Sequence, residues 1–420
     1  MDNNMKFDSE QQRSYDAATS GNNLFISGVG GVGKSYVIKS IAERLRSEGK
    51  KVVICAFTKN AAINIEGAGM TIFNTFNTYP SGLRFDELGL KRLKKSPAMD
   101  ADVIIIDEIS MCSKDLFTYV CKAIRHISWI NDQKPIQLIV SGDFLQLPPV
   151  CKDQNVEYAF ESPSWNTCDF IVTMLETQHR QNNTEYFDRL CQIRKGQNIN
   201  DNLEYLKENS HYLEEKKDAV SLCSYRKDVR ERNNEKIRML PGKSQIYIAR
   251  TNSQKFLNSL TVWDELNLKI GTLVMTVYND PNGKYYNGST GHIIDMADNT
   301  VTVEFDDSTS EAPHIQEIGM CRWTEQVDKN DFYVEMLPVI PAYAVTIHKA
   351  QGCTLDYVNV NPRCFADGQL YVALSRVRDV NHLYINNEIR PQDIKVNPKV
   401  LDFYSQFEIK SKPTIKNMYY

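Results

Sequence analysis

Short apolar runs alternate with amphipathic stretches over the first half of the chain. Leu24–Ser27, Val103–Ile106 and the run that begins at Ile136 are largely apolar, which is typical of strands buried on both faces of a parallel sheet. Between 37 and 45, apolar residues recur at helical spacing, and Gly49 then provides a stop signal. This alternation of strand and helix predicts an α/β fold.

The second half of the chain contains two kinds of pattern. Short strands are predicted within the stretches AVSLCSY, AYAVTIH, DYVNV and HLYIN. Residues 266–340 are instead rich in alternating apolar positions separated by Gly, Asn and Asp, which predicts a β-rich segment. Residues 81–100 break the strand–helix rhythm of the first half and carry a basic cluster of Arg84, Lys91, Arg92, Lys94 and Lys95.

The stretch GVGGVGKS, which follows the first predicted strand and precedes the first long helix, fits the phosphate-loop pattern G-x-x-x-x-G-K-[ST]. Such a loop directs backbone N–H groups and a helix N-terminus at phosphate oxygens, so it predicts ATP binding. Lys34 is expected to reach the β- and γ-phosphates, and Ser35 to bind Mg²⁺. The predicted phosphate-binding residues are Gly28, Val29, Gly30, Gly31, Val32, Gly33, Lys34 and Ser35.

Two further strand ends carry polar residues suited to phosphoryl transfer. Asp107 and Glu108 follow a buried strand, at the edge of the sheet where doubly wound folds place their chemistry. We expect Asp107 to bind Mg²⁺ through the outer shell of the ion and Glu108 to polarise the attacking water. Gln146 follows the next strand and could sense the γ-phosphate. Gln11 could read an adenine edge, but taken alone it is better explained as part of the start of a surface helix.

Composition restricts the location and the partners. The 420-residue chain has a net charge of −4, so any contact with nucleic acid must depend on a local basic groove. No apolar run approaches the length of a membrane span and the first twenty residues are polar. This favours an intracellular, cytoplasmic protein without membrane partners, with the nucleus or the mitochondrion as alternatives if the host is a eukaryote. No CxxC spacing occurs, so we expect no zinc site.

The order of these motifs resembles that of superfamily 1B DNA helicases of the PIF type over nearly the whole chain. The resemblance is carried by the segments EQQRSYDA, AFTKNAAINIEGAGMTIFNTF, IIIDEISM, VSGDFLQLPPV, HRQ, TIHKAQGCTLDYVNV and GQLYVALSRVR. The chain departs from the family where Phe73 replaces the usual His and where KPIQ replaces Pro-Phe-Gly-Gly. The sequence is also short for the family, so we expect none of the long terminal extensions that often set regulation and targeting.

The resemblance implies two RecA-like P-loop domains. The first comprises 1–80 and 101–174, with a small fork-facing insertion at 81–100, which a solvated basic helix would explain equally well. The second comprises 175–265 and 341–420, interrupted by a β-barrel at 266–340. The family pattern also places two catalytic arginines at Arg180 and Arg376. The implied DNA contacts are Thr58, Lys59, Phe73, Asn74, Phe144, Thr346, His348 and Lys349.

The resemblance implies an ATP- and Mg²⁺-dependent helicase that moves 5′ to 3′ along single-stranded DNA and unwinds duplex or forked DNA. The expected protein is monomeric, with roles in replication, repair, recombination or telomere maintenance. Two other functions stay open: an RNA-directed helicase of the same superfamily, and a nucleotide-switched nucleic-acid-binding protein that does not unwind. The intact Glu108 and the two arginines argue against the switch.

Overall fold

The structure is a computed structural model. It describes the chain except for residues 1–6, 58–69, 79–82, 84, 151–154, 180–183, 218, 261, 279, 281, 286–287, 310–311, 328–329 and 412–420. The chain forms two compact units. Unit 1 comprises Met1–Glu215, Ala350–Asp356 and Pro362–Tyr420, and unit 2 comprises Lys216–Lys349 and Tyr357–Asn361.

The strands fall into a first group in unit 1 and a second group mainly in unit 2. The first group is β1 (Leu24–Gly28), β2 (Val52–Ala56), β3 (Met70–Thr71), β4 (Val103–Asp107), β5 (Gln137–Gly142), β6 (Ile171–Leu175) and β7 (His211–Tyr212). The later strands are β8 (Val220–Cys223), β9 (Gln245–Ile248), β10 (Arg250–Thr251), β11 (Glu265–Leu268), β12 (Leu273–Thr276), β13 (Thr290–Ala297), β14 (Thr300–Phe305), β15 (Ile315–Gly319), β16 (Cys321–Val327), β17 (Asn330–Met336), β18 (Val339–Pro341), β19 (Ala344–Thr346), β20 (Val358–Val360) and β21 (Leu383–Ile385).

The helices vary from one turn to nearly five. They are α1 (Ser9–Thr19), α2 (Lys34–Ser47), α3 (Ile72–Thr75), α4 (Glu87–Leu93), α5 (Lys114–Ile130), α6 (Pro163–Thr167), α7 (Thr184–Lys195), α8 (Ile199–Asn209), α9 (Arg226–Met239), α10 (Gln254–Ser259), α11 (Ile347–Ala350), α12 (Gln369–Leu374) and α13 (Pro398–Ser411). Short 3₁₀ helices lie at Pro97–Asp100, Ile109–Met111, Ala159–Glu161, Val380–His382 and Pro391–Asp393. Within the described residues, no helix is long and apolar enough to cross a membrane.

A six-stranded parallel sheet organises unit 1, in the order β3-β2-β4-β5-β1-β6. The first strand β1 and the central strand β4 are buried along their whole length, as their apolar runs predicted. Helix α2 buries the residues that recur at helical spacing, which confirms the predicted helix. Parallel strands expose their carboxyl ends at one edge of the sheet, and the predicted chemistry lies there.

The core of unit 1 includes residues from distant parts of the sequence. Aromatic rings from β1, the loop after β5 and α6 pack with rings from the carboxy-terminal helix α13, whose contributions include Phe403 and Tyr404. The Tyr404 hydroxyl also forms a hydrogen bond with Ser27 Oγ (2.8 Å) and accepts one from the Phe144 backbone N–H (3.0 Å).

Unit 2 combines a parallel strand group with antiparallel sheets. Strand β8 pairs in parallel with β19 and β20, as the short apolar runs of the second half predicted. The segment 266–340 is β-rich, as expected. It forms a five-stranded antiparallel sheet in the order β15-β14-β13-β12-β18, and its strands β16 and β17 pair with β10, from before the segment, in the sheet β10-β17-β16. Closure of these strands into a barrel stays a prediction.

The basic segment 81–100 contains helix α4 and the 3₁₀ turn Pro97–Asp100, while Arg84 lies outside the described residues. The compact units do not follow the domain boundaries that the family resemblance implies, because 175–215 and most of 362–420 group with unit 1. The boundaries of the two RecA-like domains come from the sequence motifs and not from contacts in the structure, and they stay a prediction.

Candidate active site

The phosphate loop connects β1 to α2 and leaves the first turn of the helix open to an anion. Gly33 is the N-cap of α2, with a φ of 83° and no side-chain cap. A Cβ at Gly33 would lie 2.6 Å from Gln11 Nε2, so a larger residue would collide with that amide. The uncapped N–H groups of a helix start form a ready anion site, as the sequence pattern predicted.

Lys34 lies at the centre of this loop. Its Nζ donates to the carbonyl oxygens of Gly28 (2.8 Å) and Val29 (3.0 Å). Burial lowers the pKa of Lys34, while Asp143, Glu108 and Asp107 act in the opposite direction. Three acidic groups therefore favour the charged form of this one lysine against the effect of its burial.

Asp107 and Glu108 lie side by side at the carboxyl end of β4 but have different surroundings. Burial raises the pKa of Asp107 to about 7, and the neighbouring Glu108 adds to this rise while Lys34 opposes it. Glu108 has left-handed backbone geometry, with a φ of 54°, which is uncommon for a residue other than glycine. Its Oε2 accepts a hydrogen bond from Gln351 Nε2 at 3.0 Å.

The residues expected to bind Mg²⁺ fit the requirements of that ion. Asp107 is a buried carboxylate that a divalent cation would stabilise in its charged form. Ser35 is exposed in the first turn of α2, next to Lys34. The described part of the chain holds no cluster of three His, Cys, Asp or Glu side chains arranged for a metal ion. Mg²⁺ usually takes only one or two protein ligands together with substrate phosphates.

A buried ion pair anchors the loop that carries Gln146. Arg194 on α7 donates from Nε to Asp143 Oδ2 (2.8 Å) and from a terminal nitrogen to Oδ1 (2.6 Å). Burial opposes the charge of Arg194, but the Asp143 carboxylate outweighs it and holds the pKa of Arg194 above its ordinary value. Gln146 Nε2 lies 3.5 Å from Asp143 Oδ2, so the predicted γ-phosphate sensor is positioned by this pair.

Arg376 is buried next to the phosphate loop. Its terminal nitrogen lies 3.8 Å from the position that a Cβ on Gly30 would take. Its hydrogen bonds go to the carbonyl oxygens of Val372, Ala350 and Cys353 and to Ser375 Oγ. Burial lowers the pKa of Arg376, with Tyr371 and Glu108 acting in the opposite direction.

Gln11 and His179 hold the outer side of the loop. Gln11 is buried, and its Nε2 donates to the Val32 carbonyl at 3.3 Å. The His179 backbone N–H donates to the Gly31 carbonyl (3.2 Å), and its ring Nε2 lies 2.9 Å from Asp8 Oδ2. Gln11 is therefore a buried neighbour of the phosphate loop, which excludes a simple surface-helix position and keeps adenine recognition as a prediction.

The residues of unit 1 that were predicted to contact single-stranded DNA differ in their surroundings. Thr58 and Lys59, together with the predicted arginine Arg180, lie outside the described residues. Asn74 is exposed, whereas Phe73 is half-buried against Phe57, with 5.9 Å between ring centroids, so its stacking role stays a prediction.

The prediction that Phe144 contacts DNA is wrong. Its side chain is only 1% exposed and packs among Phe25, Phe160, Trp165 and Phe403. A ring enclosed in this way has no face available for a nucleotide base. Phe144 is a core residue that supports the Gln146 loop from beneath.

The predicted contacts in unit 2 lie where β19 leads into α11. Thr346 Oγ1 accepts the Lys349 backbone N–H at 3.4 Å. The Lys349 Nζ is buried and has no hydrogen-bond partner among the described residues. Burial lowers the pKa of Lys349 to about 8 and also lowers that of His348, and Arg226 adds to both effects. A buried, unpaired ammonium group beside a second cation is a strong candidate for a phosphate contact.

Sequence reasoning missed four residues at the active site. Asp143 lies against Gln146, Gln351 donates to Glu108, and Arg194 is bonded to Asp143. The Tyr371 hydroxyl accepts the Gly30 backbone N–H at 3.1 Å. Asp143 and Gln351 lie within segments that resembled the family, so their position in those segments was a usable signal. Tyr371 also lies within such a segment, GQLYVALSRVR, so the same signal applied to it. Arg194 gave no local signal, because its partner Asp143 is distant along the chain.

A parallel α/β sheet with a phosphate loop after its first strand defines the class of P-loop nucleotide-binding proteins. A sequence model of the PIF1-like helicase family matches residues 6–204. The chain is 30% identical to the ATP-dependent DNA helicase PIF1 of Xenopus laevis, over 97% of this chain and 65% of that protein. It therefore spans about two thirds of the length of that curated relative.

Solved structures agree with this assignment. The Pif1 helicase of Candida albicans matches with a TM-score of 0.81 and 28% identity, over 96% of this chain and all of that chain. The Bacteroides Pif1 helicase in complex with ADP-AlF3 and ssDNA matches with a TM-score of 0.80 and 26% identity, over 97% and 99% of the two chains. The chain belongs to the PIF1-like helicase family.

Proposed function

We propose that this protein is an ATP-dependent DNA helicase that translocates 5′ to 3′ along single-stranded DNA and unwinds duplex or forked DNA. The proposal is supported by the family membership, and by relatives named as ATP-dependent DNA helicases. Its two RecA-like domains would have the boundaries that the motifs imply, with the fork-facing insertion at 81–100 and the barrel at 266–340.

The residues of unit 1 would divide the work of ATP hydrolysis among them. The phosphate loop and Lys34 bind the phosphates, Glu108 accepts the proton of the attacking water, and Gln146 contacts the γ-phosphate. Gln11 would recognise adenine. Mg²⁺, bound by Ser35 and Asp107, would neutralise phosphate charge. Arg180 is proposed as a second arginine of the site.

The position of Arg376 carries the proposal. This arginine is buried beside Gly30 of the phosphate loop, and within the described residues it forms no ion pair with a carboxylate. Glu108 favours the charge of this guanidinium from a distance, but no carboxylate is bonded to it directly. An anionic ligand would stabilise it further, and phosphoryl transfer develops negative charge at this place. The arrangement therefore favours ATP hydrolysis with an arginine finger over simple nucleotide binding.

Lys349 is a second buried cation, and we propose that it contacts a phosphate of the DNA strand. Its buried Nζ lacks a partner among the described residues, and it is close enough to Arg226 for the two charges to interact. Strand binding that is independent of base sequence depends on phosphate contacts of this kind. Thr346 and His348, together with Thr58, Lys59, Phe73 and Asn74, are proposed as further contacts.

Tailed duplexes test the proposed activity and its polarity. The protein with ATP and Mg²⁺ should separate a duplex with a 5′ single-stranded tail and leave a duplex with a 3′ tail intact. Lys34→Ala, which loses the phosphate-binding cation, is the control that excludes a contaminating helicase. Separation of only the 3′-tailed duplex would reverse the proposed polarity. If neither duplex is separated, the helicase activity is refuted and the protein would at most bind DNA and hydrolyse ATP.

The same assay separates the alternatives. Stimulation of ATP turnover by single-stranded RNA rather than DNA would identify an RNA-directed helicase. Strand binding that depends on nucleotide but occurs without unwinding would identify a switch. We further propose that the protein is intracellular, because DNA and ATP are both present inside the cell. We also propose that it is a monomer in solution.

A further inference from the structure

Gln351 contacts the proposed general base. Its side chain is 2% exposed, and its Nε2 donates to Glu108 Oε2 at 3.0 Å. Glu108 has left-handed backbone geometry just beyond the end of β4, so its position in the sheet does not by itself fix the carboxylate. The Gln351 amide supplies a fixed donor from a segment more than two hundred residues further along the chain.

The turn that carries Gln351 also holds Arg376. Arg376 Nη1 donates to the carbonyl oxygens of Ala350 (3.3 Å) and Cys353 (3.1 Å). In return, the Leu355 backbone N–H donates to the Arg376 carbonyl at 2.9 Å. One short segment, residues 350–355, therefore binds both the proposed base and the proposed arginine finger.

The chemistry of the donor matters as well as its place. A lysine or arginine next to a carboxylate stabilises its ionised form strongly and makes it a weaker base. A neutral amide can orient the same carboxylate with a smaller effect on its basicity. General-base catalysis depends on both orientation and basicity, so an amide suits this position.

We propose that Gln351 is a positioning residue for ATP hydrolysis, which holds the Glu108 carboxylate in the orientation from which it accepts a proton from water. The proposal rests on the assignment of Glu108 as the base in the function proposed above. Gln351 acts through Glu108, so its loss should affect the transition state more than the binding of ATP.

Substitutions of Gln351 by Ala and by Glu test this role. Gln351→Ala should lower kcat by about 10-fold or more while the KM for ATP changes less than twofold. The variant should also lose most of the preference that the wild type shows for ADP with aluminium fluoride over ADP alone. Gln351→Glu conserves size but places a second carboxylate against Glu108, so its kcat should be lower than that of Gln351→Ala.

Gln137 provides a matched control. It is buried in unit 1, and its Nε2 donates to the carbonyl oxygens of Ala18 (2.8 Å) and Asn22 (2.6 Å), but it lies at the amino end of β5, opposite the site. Gln137→Ala should lower Tm and leave the ratio of the two nucleotide affinities unchanged.

Two results would overturn the proposal. One is a Gln351→Ala variant with near wild-type kcat, and the other is a Gln351→Glu variant that is more active than Gln351→Ala, because size alone would then explain the residue. A wild-type protein that hydrolyses ATP but does not unwind DNA would contradict the helicase function alone, since the Gln351 measurements use ATP turnover.

Discussion

Arg376 shows how much one side chain can depend on a ligand. Its guanidinium is buried, and its hydrogen bonds within the described residues end on uncharged oxygen atoms. Carbonyl oxygens satisfy the N–H groups but only partly compensate the charge. The neighbouring phosphate loop is where an anionic ligand would meet this charge, which is what the proposed role of Arg376 as an arginine finger requires.

Replacement of Arg376 tests this interpretation. Arg376→Ala should retain ATP binding and lose most DNA-stimulated turnover, because loss of an arginine finger typically costs about 10³–10⁵ in rate. Arg376→Lys should restore little activity, since lysine lacks the planar fork that matches phosphate. The measurement is ATP turnover with and without saturating single-stranded DNA. Turnover of Arg376→Ala at the stimulated wild-type rate would refute the assignment.

Lys349 predicts a pH dependence of strand binding. Burial lowers its pKa to about 8 in the free protein, whereas a bound phosphate would favour the charged ammonium. Strand affinity should therefore be greatest below about pH 8 and fall as the pH rises above it, because binding must then take up a proton.

Lys349→Arg is the matched control, since arginine stays charged across this range. Fluorescence anisotropy with a labelled single strand, measured from pH 7 to pH 9, should show a flatter profile for Lys349→Arg than for the wild type. Parallel profiles for the two proteins would remove Lys349 from the strand contacts.

At the residue scale, the sequence predicts what is local. The phosphate loop, Asp107 and Glu108 were found because strand, loop and helix patterns lie next to one another in the chain. The prediction that Phe144 contacts DNA was wrong, because its nearness to Gln146 in the sequence does not show whether its side chain points to solvent or into the core. Arg194 was missed because its role depends on a partner far away along the chain.

At the scale of elements, the start of helix α12 is packed directly against the loop that carries Gln146. Gly368 caps this helix with a φ of 67°, and a Cβ there would lie 2.4 Å from the carbonyl oxygens of both Leu145 and Gln146. The same helix leads to Arg376. The Gln146 loop and the helix that leads to Arg376 are thus held together by the close approach that glycine allows.

Gly368→Ala should disturb the Gln146 loop. It should lower the free energy of unfolding by about 1–3 kcal/mol through overpacking and also reduce kcat. Gly49→Ala is the control, because Gly49 has a similar φ of 82° and nothing within 4 Å of a Cβ. Urea unfolding and ATP turnover measure the two effects. Equal losses in both variants would mean that backbone strain, rather than the contact with the loop, is responsible.

Most strands and helices could be predicted from the sequence, but the order in which the strands pair and the way the segments group could not. Strands β1, β4, β5 and β8 follow from apolar runs because such runs need two covered faces. The order of strands in a sheet is decided by crossovers and packing, which leave no local pattern. For the same reason, the sequence motifs gave domain boundaries that differ from the grouping of segments by contact.

At the scale of the whole molecule, the net charge of −4 conflicts with binding to a polyanion unless cations are concentrated locally. Single-strand affinity should therefore fall with rising salt, with a log–log slope of about −0.7 for each phosphate contacted. Titration of a labelled strand at several salt concentrations measures the slope. An affinity that does not change with salt would argue against a groove that follows the phosphate backbone.

The aromatic contacts of α13 with β1 and with the loop after β5 have a consequence for the synthesis of the protein. Strand β6 completes the parallel sheet long before Phe403 and Tyr404 are translated. At about 5–20 residues per second, the interval is roughly 10–45 s. During this time the ATP-binding half of the nascent chain lacks part of its hydrophobic core. Until α13 arrives, apolar surface that the helix covers in the folded protein is open to aggregation or to chaperones.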